Sequence, residues 1–154
     1  MQVIFHCGAH GTEEDRLLKT LLRNKDRFRL HGTVVPGPGK YRYLLKDCMA
    51  ALQEGQATTE ARDVLWDAIL EEEQADRVLL SNANFFGSQR QAIQGSQFYP
   101  EAEARLLSLQ HLFAQDNLEL FIGLRNPATI LPGLLENAHP DRKAQVLGNL
   151  DPYN

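Results

Sequence analysis

The chain has 154 residues, two cysteines and a formal net charge of −4, with 43% apolar and 23% charged residues. That balance suits one globular domain spanning 1–154, leaves no electrostatic footprint for a nucleic acid, and contains no apolar run of the roughly 20 residues needed to cross a bilayer. Two thiols cannot build a disulfide framework, no signal-peptide pattern opens the chain, and a cytoplasmic, reducing compartment is expected.

Gln2–Cys7 is short, apolar and β-rich and stops at Gly8, the pattern of a buried strand. Thr12 reads as a helix N-cap with Glu13, Glu14 and Asp15 in the first turn, and Leu17, Leu18, Leu21 and Leu22 recur at helical spacing as far as Asn24–Arg27. Arg29–Val35 is a weaker strand, and Pro36-Gly37-Pro38-Gly39 reads as a loop. Two helices follow, Tyr41–Gln53 and Thr58–Gln74, the second ending in the acidic run Glu71-Glu72-Glu73, which reads as a solvated helix end.

Arg77–Ser81 is a strand with Val78-Leu79-Leu80 at its centre, and Asn82–Gly95 reads as a long irregular segment. Pro100–Gln115 is helical and Leu118–Leu124 is another apolar, buried strand. Pro127 suits the first turn of a helix reaching about Asn137, and a short helix follows Pro140. Strands alternate with helices throughout, which argues for an α/β fold: a three-layer parallel sheet flanked by helices.

Ligands of such sheets bind beyond the carboxyl ends of the strands. Three polar segments fall there: His6–Thr12, Ser81–Asn84 and Arg125–Asn126. In the first, a glycine-containing loop between strand and helix aims backbone N–H groups at one point, where the helix dipole favours an anion. The same glycines also suit a plain tight turn. His6, Cys7 and His10 find no further ligands at zinc spacing, so no metal is expected, and Cys7 reads as a buried hydrophobe rather than a nucleophile.

Read together, these segments resemble the bacterial sulfotransferase family, whose P-loop NTPase-like domains use 3′-phosphoadenylyl sulfate. The family opens on a strand, then H-x-G-x-H-K-T-G-T-T and an amphipathic helix. Here Phe5-His6-Cys7-Gly8-Ala9-His10-Gly11-Thr12 leads without a gap into Leu17-Leu18-Lys19-Thr20-Leu21-Leu22-Arg23-Asn24. Val78-Leu79-Leu80-Ser81-Asn82-Ala83-Asn84 is similar to the family strand that ends in Ser-x-Glu, and Leu124-Arg125-Asn126-Pro127 to its R-x-P element. The similarity runs in order along nearly the whole chain.

The resemblance implies a phosphosulfate loop at Gly8, Ala9, His10, Gly11 and Thr12, with Arg125 on the 3′-phosphate of the cofactor. It also exposes three departures. Gly11 stands where the family has its loop lysine, Ala83 where many members have a catalytic glutamate, and Gly133 where a phosphate-binding serine is usual. Glu13, Glu14 and Asp15 replace the following Gly-Thr-Thr. Carboxylates there repel an anion by about 1 kcal/mol each even when solvated.

The implied function is a sulfotransferase-like protein with a degenerate loop and little or no transfer activity. An active enzyme with unusual residues (His10 as base) and a non-enzymatic interaction module stand as alternatives. A small anionic ligand is the expected partner. Family members extend further, so the chain reads as an N-terminal portion or a short form, with homo-oligomers as a consequence of an uncovered sheet edge.

Overall fold

In the computed structural model, which describes residues 1–12, 15–54, 58–71 and 74–151, β1 (Gln2–Gly8) is the central strand. It pairs in parallel with β3 (Arg77–Asn82) on one side and β6 (Asn117–Gly123) on the other. The two-residue β2 (Thr33–Val34) joins the far side of β3, giving the order β2-β3-β1-β6, all parallel. Register sets Val3 beside Val78 and Leu118, and Phe5 beside Leu80 and Leu120. Alternation along each strand therefore gathers these side chains on one face.

That face is covered by α3 (Pro38–Gln53), α4 (Thr58–Leu70) and α5 (Ala102–Leu112). Tyr41, Leu45 and Cys48 of α3, Leu65 and Ile69 of α4, and Leu109 and Leu112 of α5 meet Val3, Phe5, Cys7, Val78 and Leu80 in one buried cluster. Each fully buried leucine in such a layer contributes about 1.5–3 kcal/mol. The crossover from β1 to β2 runs across the sheet in one direction and that from β2 to β3 runs back. Right-handed crossovers therefore put α1 (Arg16–Arg23) and α2 (Lys25–Arg29) on the opposite face.

A second cluster forms beyond the carboxyl ends of the strands. Ala9 packs there with Ala92 and Ile93 of the β4 (Ile93–Gln94) segment, Ile130 and Leu134 of α6 (Pro127–Leu135), and Val146 of α7 (Pro140–Asn149). Asn126 caps α6 by accepting from Ala128 N–H at 2.9 Å, with Pro127 at the first helical position as its fixed φ favours.

Six sequence expectations need correction. Thr12 does not cap α1: Asp15 stands at that N-cap with a left-handed φ of 63°, because its carboxylate is drawn to Arg42. Arg29–Val35 is mostly α2 and turn, with only Thr33–Val34 extended, since few apolar positions there face the sheet. Pro38 and Gly39 are the first turn of α3, where a proline loses no hydrogen bond. The segment 82–95 is not wholly irregular, because Ile93–Gln94 pairs with β5 (Gln97–Phe98) in a hairpin. β6 is not buried: Leu120, Phe121 and Ile122 are 40%, 52% and 42% exposed, since the strand is the last of its sheet.

The α4 helix ends at Leu70 rather than Gln74, and Glu71 (φ 47°) turns the chain while pairing with Lys40 at 2.7 Å. Glu72 and Glu73, like Glu13 and Glu14, lie outside the described residues. Among the described residues no helix is long and apolar enough to cross a membrane.

Candidate functional site

The three polar segments meet at the carboxyl end of the sheet. Ala9 N–H donates to the Gly123 carbonyl at 2.9 Å, Arg125 Nη1 to the Gly11 carbonyl at 2.9 Å, and His6 Nδ1 lies 3.0 Å from Ser81 Oγ. A polar cavity of about 310 Å³ opens between the first two segments, lined among others by His10, Gly11, Thr12, Asp15, Ala83 and Asn84. Gly133 lies elsewhere, within α6, with open space where a side chain would begin.

The loop turns its donors inward. Ala9 N–H reaches Gly123, His10 N–H donates to the Tyr99 hydroxyl at 2.8 Å, and Thr12 N–H donates to the Ala9 carbonyl at 3.2 Å. Thr12 Oγ1 adds a bond to the same carbonyl at 2.7 Å. Three backbone donors that a phosphate cradle would present to its ligand are thus engaged within the chain.

Close packing fixes this shape. A Cβ on Gly8 would sit 2.9 Å from the Gly123 carbonyl oxygen, and Gly11 adopts φ 73°. The Arg125 guanidinium lies against Gly11, in the space where a lysine at that position would begin. Arg125 Nε also donates to Thr129 Oγ1 at 2.8 Å, so this arginine binds a carbonyl and a hydroxyl.

His10 stacks on Tyr99 with ring centroids 5.7 Å apart, and its Nδ1 lies 3.1 Å from the tyrosine hydroxyl. Its Nε2 is sealed from solvent and closes no hydrogen bond, although the Gly87 backbone and the Asn84 side chain stand near enough to favour the charged ring. Burial outweighs them and lowers the imidazole below its ordinary pKa. Burial likewise raises the Tyr99 phenol.

A second hub supports the site from α3. Arg42 forks onto Asp15, with Nη1–Oδ2 at 2.8 Å and Nη2–Oδ1 at 2.5 Å. Its Nε and Nη2 also reach the Ser81 carbonyl at 3.0 and 2.8 Å. The Tyr41 hydroxyl accepts from Ser81 N–H at 2.8 Å and donates to Ser81 O at 2.5 Å. The arginine holds the Asp15 carboxyl below its usual range, because two charge-assisted bonds favour the ionised form.

Arg42, Tyr41 and Tyr99 were not legible as site residues. Tyr41 read as one apolar position of a helix, and nothing local links Tyr99 to a loop 89 residues earlier. The tyrosine's positive φ of 49° is the backbone distortion that turns it toward His10, and no sequence signal marks it. Cys7 is fully buried and its thiol is pushed up to about 12 by desolvation. Among the described residues no group of three or more His, Cys, Asp or Glu is placed to hold a metal.

No family model, curated protein or solved structure matches this chain. The fold and site define a parallel α/β protein with a polar site at the carboxyl edge of its sheet, and the geometry alone carries the functional reading.

Proposed function

We propose that the chain is a sulfotransferase-like protein that keeps the scaffold of a 3′-phosphoadenylyl sulfate enzyme and carries little or no sulfotransferase activity. The observation that carries this reading is the inward-bonded loop, in which Ala9, His10 and Thr12 N–H groups already have partners. As folded, that loop does not fit a phosphosulfate, which needs those donors and a cation beside them.

Supporting features lie around it. The lysine position is Gly11, and Arg125 packs against that glycine. Ala83, at the family's glutamate position, lines the cavity with a methyl group that takes no proton. His10 has one ring nitrogen beside Tyr99 and the other sealed, which leaves it poorly placed as a base.

Calorimetric titration with 3′-phosphoadenosine 5′-phosphate, together with a sulfate-transfer assay on phenol and carbohydrate acceptors, tests the reading. We expect no turnover and no tight complex. Tight, salt-sensitive binding that Arg125→Gln abolishes, or transfer to any acceptor, overturns it. One observation favours an interaction role instead: the β6 edge exposes Leu120, Phe121 and Ile122.

A further inference from the structure

Beside the loop cavity, and sharing only Asn84 with it, a groove of about 390 Å³ runs between α3 and α5. An adjoining hollow of about 310 Å³ continues it along both helices, sharing Lys46, Met49 and Arg105. Leu45, Met49 and Phe85 supply apolar lining, all three nearly or fully buried. Arg42, Lys46 and Arg105 supply cations. Apolar walls with a few convergent polar groups, at this volume, are the usual form of a small-molecule site.

The cationic side chains of this groove keep spare donors, beside the Tyr43 hydroxyl and the Asn84 carboxamide, which can also accept. Arg42 uses Nε, Nη2 and one Nη1 hydrogen on Asp15 and Ser81, leaving one N–H. Arg105 donates Nε and Nη2 to Glu101 Oε2 at 3.1 and 2.7 Å and Nη1 to the Phe85 carbonyl at 3.0 Å, leaving two N–H groups. The Asn82 carboxamide oxygen accepts from Asn84 N–H at 3.1 Å, so its amide end remains.

Lys46 lies exposed on α3, four residues beyond Arg42, with no ion pair among the described residues. Asp15 and Glu101 are each held by an arginine, and Asp47 follows Lys46 on α3. Among the described residues the lysine charge therefore has no ion-pair partner. The first turn of α3 lines the same groove through Pro38 and Gly39, and its dipole favours negative charge there. Gly39 leaves that entrance open, since nothing lies within 4 Å of where its Cβ would be.

We infer that this groove binds a small organic monoanion, an aromatic or branched-alkyl body carrying one carboxylate. The body lies on Leu45, Met49 and Phe85, and the carboxylate takes Lys46 and the spare guanidinium hydrogens. The two arginines are fixed in place by their own carboxylates, so little side-chain freedom is lost when the ligand arrives. This site rests on the α3–α5 geometry and not on the sulfotransferase-like reading of the loop.

The test is a ¹H–¹⁵N NMR titration of the whole chain with 2-naphthoate, using 2-naphthylmethanol and acetate as comparators. We expect 2-naphthoate to bind with a dissociation constant below about 1 mM, shifting amides of the first turn of α3 and of residues 82–85. Both comparators bind at least about tenfold more weakly, a 1.4 kcal/mol difference. Lys46→Gln weakens naphthoate about tenfold, whereas Lys25→Gln on α2 leaves it unchanged.

No binding overturns the inference. So does equal affinity for the neutral alcohol, indifference to Lys46→Gln, or shifts confined to amides of β6 and the face of α5 toward it. Arg125→Gln, whose side chain bonds Gly11 and Thr129 and lines no part of the groove, leaves naphthoate affinity intact. Failure of this site and failure of the nucleotide reading are thereby separable.

Discussion

At the scale of single residues, the chemistry that looked reactive in sequence is mostly buried or bonded. Cys7 lies in the sheet core, and the Cys48 Sγ, also buried, donates to the Ala61 carbonyl at 3.2 Å. Burial raises both thiols, so neither presents a thiolate near neutral pH. We expect dithionitrobenzoate to label neither cysteine in the native protein at pH 8 and both after unfolding in guanidinium. Fast native labelling of Cys7 would contradict its place in the core.

Asp15 gives a pH signature of definite sign. Its folded pKa lies below the ordinary value, so the unfolded chain binds the proton more readily. The stabilisation is present above the unfolded pKa of about 3.9 and is lost as pH falls through the lower folded value. Asparagine tolerates the left-handed φ, so Asp15→Asn removes the charge with little added strain. We expect that variant to lose about 1–3 kcal/mol at pH 7, measured by urea unfolding. The gap from wild type closes only in the acid range below the unfolded pKa. A gap that did not narrow at all as pH fell below the unfolded pKa would assign the loss to something other than the Arg42 pair.

At the scale of elements, β1, its loop and β6 meet backbone to backbone. Gly8 and Gly123 approach so closely that a methyl at position 8 meets backbone, which cannot swing aside as a side chain can. We expect Gly8→Ala to cost about 1–3 kcal/mol, with the loss visible in thermal unfolding. Gly37→Ala, at an open position, costs far less. Equal losses would mean that the junction is looser than it looks.

The same junction shows what sequence could convey. Apolar runs at 2–7 and 77–81 identified two strands, and their alternation with helices gave the parallel sheet, because burial on both faces leaves a continuous apolar signature. The Leu118–Leu124 run carried the same signature on an edge strand, since periodicity reports what a strand could bury and not which neighbour it has. Pro38 read as loop because a proline at a helix start and one in a turn look alike locally. The loop was legible as a turn beyond β1. Its inward bonding was not, because the partners Gly123, Tyr99 and Arg125 come from distant segments.

At the scale of the whole molecule, β6 leaves one side of a parallel sheet without a neighbour. Such an edge, with Leu118, Leu120 and Ile122 on one face and Phe121 on the other, is a template for another strand. A second copy of this chain suits it: an antiparallel β6 pair centred on Phe121 sets Leu120 against Ile122 and opposes no like charges. We expect concentration-dependent dimers in sedimentation velocity, abolished by Phe121→Lys. Because Phe121 is half exposed, unfolding stability should change by no more than about 0.5 kcal/mol. A monodisperse monomer at about 1 mM would rule the edge out as a self-association surface.

The central position of β1 also sets an order of events during synthesis. Gln2 must pair with Arg77 on one side and Asn117 on the other, so β1 is made before both of its partners and is enclosed only once β6 exists. At 5–20 residues per second, Val3 and Phe5 wait on the order of ten seconds for β6. Until then β1 stays an unpaired apolar ribbon on the nascent chain, and holdase chaperones have their best opportunity there.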